Sequence, residues 1–124
     1  MRLCATLSVA AIMAATVIVA ANAEPYGRWV RASTGATIEF YDCSGKLCAK
    51  IAAVTDASKK DNVGKVIMQG AAKSGAGEWK GELLNLEDGK TYSGVITEAA
   101  GGLNLKGCVL GGIICKDETL SKAK

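Results

Sequence analysis

From residue 26 onward, apolar and polar positions alternate in short runs, with glycine clusters between them and no sustained helical spacing. Ile38 and Phe40 share one face against Glu39 and Tyr41. Trp79, Gly81 and Leu83 oppose Glu78, Lys80 and Glu82, and Tyr92, Gly94 and Ile96 oppose Thr91, Ser93 and Thr97. A period of two with one wet face predicts antiparallel sheet. Eight strands are predicted: Tyr26–Arg31, Thr37–Cys43, Leu47–Val54, Lys65–Gln69, Glu78–Leu86, Thr91–Thr97, Leu103–Leu110 and Ile113–Leu120. Asp56–Gly64 and Lys73–Gly77 are the longer loops. Eight antiparallel strands in chain order close most simply into an up-and-down barrel, which removes exposed edges; a sandwich is the alternative.

Turn chemistry predicts the registers. Asp88-Gly89 is a strong two-residue hairpin signal. Centring the turn there pairs Glu87 with Lys90, Leu83 with Gly94 and Gly81 with Ile96, so that large residues oppose glycines.

The N-terminus changes how the cysteines are read. Residues 3–23 carry no charge, Arg2 precedes them, and Ala21-Asn22-Ala23 ends them. That is the pattern of a secretory signal peptide cleaved after Ala23, which discards Cys4 and leaves one domain over residues 24–124. The stretch is also long enough for an uncleaved anchor. Export places the four remaining cysteines where disulfides persist.

Gly45-Lys46 as a two-residue loop sets Cys43 directly opposite Cys48, and Gly111-Gly112 does the same for Cys108 and Cys115. The first pair falls at a non-hydrogen-bonded position with Cα atoms about 4.5 Å apart, the second at a hydrogen-bonded one near 5.5 Å, and both lie within disulfide reach. Hairpin symmetry therefore predicts Cys43–Cys48 and Cys108–Cys115. A thiolate zinc site fits less well, because six residues separate the second pair, and no Cys-x-x-Cys redox motif is present.

Composition narrows the function. The net charge is +3, of which Arg2 contributes one. That balance, with Lys59-Lys60 and a Lys122-Ala123-Lys124 tail as its densest basic runs, predicts neither nucleic-acid nor polybasic membrane binding. The chain has no histidine, which removes imidazole from the candidate bases and metal ligands. No Asn-x-Ser/Thr sequon occurs either.

Gly27-x-Trp29 opens the first strand, as a Gly-x-Trp element does in lipocalin-like barrels. With Cys43-x-Gly45-x-x-Cys48 leading into Lys50-Ile51, then Trp79-Lys80-Gly81, Gly89-Lys90-Thr91-Tyr92, Leu103-x-Leu105-x-Gly107-Cys108 and Cys115-Lys116, the chain resembles the bacterial secreted family known as domain of unknown function 2147. The resemblance implies a periplasmic or exported β-barrel whose activity is not established. This chain departs from it in reading Lys60-Asp61-Asn62-Val63 in the middle loop and in carrying Leu120 near the end.

Trp29, Phe40, Trp79 and Tyr92 are the candidate ligand-lining residues, with a solid core as the competing reading. Lys116 is a candidate to cap Trp29 by a cation–π contact. Glu78 and Glu82 flank Lys80 on one strand face and read better as solvated charges than as an acid–base pair. The expectation is a non-enzymatic module, without cofactor or metal, that binds a small apolar ligand or an envelope protein. Inhibition of a secreted hydrolase is the alternative, although the positive charge opposes docking on a basic enzyme.

Overall fold

The computed structural model describes residues 25–124; the segment predicted as a signal peptide, its predicted cleavage site and Cys4 lie outside them. Eight antiparallel strands run in chain order around a closed barrel. They are β1 (Gly27–Arg31), β2 (Thr37–Cys43), β3 (Lys46–Ala53), β4 (Val66–Gly75), β5 (Glu78–Asn85), β6 (Lys90–Ala99), β7 (Gly102–Val109) and β8 (Ile114–Lys122). β8 returns to β1 through Trp29↔Lys122, Val30↔Ser121 and Arg31↔Leu120, so no edge is left open. The predicted barrel is the observed one, and the sandwich is excluded.

Alternation decides what fills it. Ile38, Phe40, Leu47, Met68, Trp79, Ile96, Leu103 and Leu120 form the buried cluster, with Trp29 and Leu83 packed against it. Glycine makes room where the sheet is tightest. Gly81 faces Gly94 across β5 and β6, and a Cβ on Gly81 would stand 2.7 Å from the Cα of Ala71 on β4.

Five expectations need correction. The β5–β6 register is displaced by two residues: Asn85 pairs with Lys90, Leu83 with Tyr92 and Gly81 with Gly94. The loop is Leu86–Gly89, because Gly89 takes a φ of 72° and its N–H donates to the Asn85 carbonyl at 2.8 Å. The Asn85 and Asp88 side chains accept from the amides of Glu87 and Lys90. A shift of two leaves every side chain on its predicted face.

The β2–β3 turn is likewise Ser44-Gly45, not Gly45-Lys46. Both residues have positive φ (62° and 82°), as a type I′ hairpin requires. Cys43 then pairs with Lys46 and Cys48 with Tyr41, and the disulfide runs diagonally across the hairpin with Cα atoms 5.9 Å apart. Cys108 does face Cys115 directly. Their connection is Leu110–Ile113, two residues longer on the ladder than Gly111-Gly112, and their Cα separation of 4.0 Å is that of a non-hydrogen-bonded pair.

The remaining corrections concern β4 and the long loop before it. β4 continues to Gly75, through most of the segment predicted as a loop, because bulges opposite β3 let it bend from that strand onto β5. Within Asp56–Gly64, residues Ala57–Asn62 form a 3-10 segment, with the Asp56 carboxylate accepting from the Ser58 amide and hydroxyl.

Candidate functional site

The two ends of the barrel differ. At one end Trp29 lies beneath the core, its indole N–H donating to the Pro25 carbonyl at 2.9 Å. Lys122 of β8 places its ammonium 4.9 Å from the Trp29 ring centroid. The cation–π cap predicted for Lys116 is therefore made by Lys122. Lys122 sits directly opposite Trp29 across the closing seam, whereas Lys116 pairs with Gly107 at the other end of β8.

The other end is hollow. The loops after β1, β3 and β5, with residues of β7 and β8, surround two adjoining cavities of about 320 and 330 Å³, which share Arg31, Ser33, Ile67, Leu84 and Glu87. One reaches Ile51, Val54 and Leu86 beneath the 3-10 segment. The other reaches Ile38, Leu83, Tyr92 and Leu105, with Lys116 and Asp117 at its rim. Apolar walls under a charged rim suit a small ligand with a large apolar part.

Arg31 and Glu118 organise that rim. β1 points Gly27, Trp29 and Arg31 to the same face, and β8 does so with Glu118, Leu120 and Lys122, so a cation and a carboxylate meet inside the mouth. Arg31 Nε donates to Glu118 at 2.9 Å, and both side chains are mostly shielded from water. Ser33 donates to the same carboxylate from its hydroxyl and its backbone amide. Burial is the largest single influence on Glu118 and raises its pKa. The Ser33 hydroxyl, the Arg31 charge and the hydrogen bonds from Arg31 and the Ser33 amide outweigh it together, so the pKa is lowered. A carboxylate held ionised in this way is a weak base toward Ser33, and the trio reads as a latch on the β1–β2 loop.

Tyr92 lines the mouth, and its hydroxyl donates to Asp88. That bond is the main cause of a raised tyrosine pKa and a lowered aspartate pKa. Of the other sequence candidates, Phe40 and Trp79 are buried in the core and Trp29 closes the far end; none of the three lines either cavity. Glu78 accepts from Ser74, and Glu82 is exposed on β5. Among the described residues, no group of three or more His, Cys, Asp or Glu side chains gathers as a metal site.

Arg31, Ser33 and Glu118 were not among the sequence candidates. Their signal was a charged residue two positions from an inward-facing apolar one on the first and last strands, which only closure brings together.

The whole ladder from β1 to β8 also falls within one family match: the family described as "Uncharacterized protein conserved in bacteria (DUF2147)" matches residues 27–122. The chain belongs to this family. The matched span runs from Gly27 at the start of β1 to Lys122 at the end of β8, so the DUF2147 unit and the barrel coincide. No curated protein and no solved structure matches the chain. Two disulfides in a bacterial DUF2147 protein suit an oxidising compartment outside the cytoplasm. Among the described residues, no helix is long and apolar enough to cross a membrane.

Proposed function

We propose that this protein is an exported, non-enzymatic binding module that takes a small, largely apolar ligand into the open end of its barrel. The observation that carries the reading is the pair of adjoining cavities, walled by Ile67, Leu83, Leu84 and Leu105 and rimmed by the Arg31–Glu118 pair. The rim mixes Arg31, Lys59 and Lys116 with Asp56, Glu87, Asp117 and Glu118, which favours a neutral or weakly polar head group over a strong ion. Export rests on the uncharged segment of residues 3–23 and its Ala-x-Ala end, together with the two disulfides.

Native mass spectrometry of the chain recovered from a bacterial envelope fraction tests both parts. The expected species begins at Glu24 and carries a small-molecule adduct. A titrated panel of fatty acids, isoprenoids and aromatic metabolites should raise the melting temperature. Leu84→Glu, in both cavity walls, should weaken the best binder at least tenfold, about 1.4 kcal/mol. Absence of any adduct and of any thermal response across the panel would remove the carrier reading. A dominant full-length species would remove the processing.

A further inference from the structure

The β7–β8 connection is built unlike the other loops at the open end. Leu110, Ile113 and Ile114 are 68%, 82% and 51% exposed, a run of large aliphatic side chains held out in water. Leu110 also adopts a φ of 56°, one of two non-glycine residues in the left-handed region among the described residues. That conformation disfavours a bulky side chain and is sustained by the glycines beside it and the Cys108–Cys115 bond at the hairpin's base. Folding therefore presents these side chains at the tip of a stapled hairpin, where it gains nothing from their burial.

We propose that this tip docks the protein on a lipid surface, its three aliphatic side chains entering the interfacial region. Size argues against a protein partner or a second copy. Three side chains fall far short of the roughly 800 Å² per partner of a stable interface, and the tip offers no aromatic or arginine anchor. Charge argues for anionic lipid: the first charged side chains on either side of the tip are Lys106 and Lys116, both cations. Place argues for it too. Lys116 and Asp117, just beyond the tip, line the cavity mouth, so docking sets that mouth against a source of apolar ligand. The docking reading itself does not depend on the cavity being occupied.

Flotation with vesicles of phosphatidylethanolamine and phosphatidylglycerol (about 3:1) tests it, using the chain from Glu24 onward, which contains the complete barrel. The protein should rise with the vesicles without any added ligand. The Ile113→Ser/Ile114→Ser double variant should lose at least tenfold in partitioning while melting at an unchanged temperature, because both side chains are already exposed. A single Ile113→Trp variant should show blue-shifted emission on vesicle addition that the parent lacks. Wild-type protein left in the aqueous fraction, or a serine variant that floats equally well, would overturn the proposal. So would self-association of the parent that the serine variant abolishes, which would assign the tip to a second copy. Failure here leaves the thermal response to soluble ligands untouched, and the converse also holds, so the two readings can fall separately.

Discussion

Gly81 is where one atom decides whether two strands can pass. Its backbone lies outside the left-handed region, so its requirement for glycine is one of contact alone: a Cβ would stand 2.7 Å from the Cα and 2.9 Å from the Cβ of Ala71, which is fully buried. No side-chain rotation relieves an approach to backbone, so β4 and β5 must separate. Gly81→Ala should cost about 1–3 kcal/mol in urea unfolding, whereas Lys80→Ala, on the exposed face, should stay within about 0.5 kcal/mol. An unchanged midpoint for Gly81→Ala would show that the barrel wall is not close-packed there. That Gly81 shares a face with Trp79 and Leu83 was readable from alternation. Its meeting with Ala71 was not, because it depends on how β4 bends between its two neighbours. The same holds for Arg31 and Glu118, 87 residues apart and meaningful together only once the last strand returns to the first.

At the scale of the element, hairpins were legible in existence and face, but β2–β3 and β5–β6 were misplaced in register while β7–β8 was not. Asp88-Gly89 marked the β5–β6 turn correctly, yet Asn85 caps it and the loop gains Leu86 and Glu87 ahead of that pair. Ser44-Gly45 took the turn assigned to Gly45-Lys46, which puts glycine at the second of the two positions that a type I′ turn holds at positive φ. Both slips were of two residues, so the inward faces survived. The cysteine pairings survived too, for different reasons: Cys108 and Cys115 are direct partners, while Cys43 reaches Cys48 across a diagonal. The staples sit at opposite ends of the barrel, the first on the β2–β3 hairpin and the second on the β7–β8 hairpin. Each closes a short loop, worth about 2–2.5 kcal/mol by chain entropy. Replacing either pair by alanine should lower unfolding free energy by about that amount. Replacing both should give the sum within about 0.5 kcal/mol, since the sites share no partners. A much larger loss for Cys43/Cys48 would show that Cys48, itself shielded from water, contributes packing as well as a bond.

Over the whole molecule, everything depends on closure. The seam from β1 to β8 joins only Trp29, Val30 and Arg31 to Lys122, Ser121 and Leu120, with Ala123 N donating to Arg28 O just beyond it. It is fastened at both ends by side chains, Lys122 over Trp29 at the filled end and the Arg31–Glu118–Ser33 latch at the hollow one. The latch is ionic, so closure carries a pH signature. Glu118 has its pKa lowered in the folded protein from the ordinary 4.5. A carboxylate whose folded pKa lies below its unfolded one stabilises the fold above the unfolded value, and that stabilisation is lost as pH falls through the folded value. The melting temperature should therefore hold steady near neutrality and decline below about pH 4.5. Other acids contribute to any such decline, so the assignment rests on a variant. Glu118→Gln keeps the shape and loses the charge. It should cost about 1 kcal/mol at pH 7, after allowing for the screening of a partly exposed pair. It should also melt with a shallower acid dependence than the parent, the two curves converging at low pH. Hydrogen exchange locates the effect: amides of Val30 and Arg31 should lose protection in the variant while those of the β5–β6 ladder keep it. Parallel acid profiles for parent and variant would show that Glu118 does not hold the seam, and would leave Trp29 with Lys122 as its fastening.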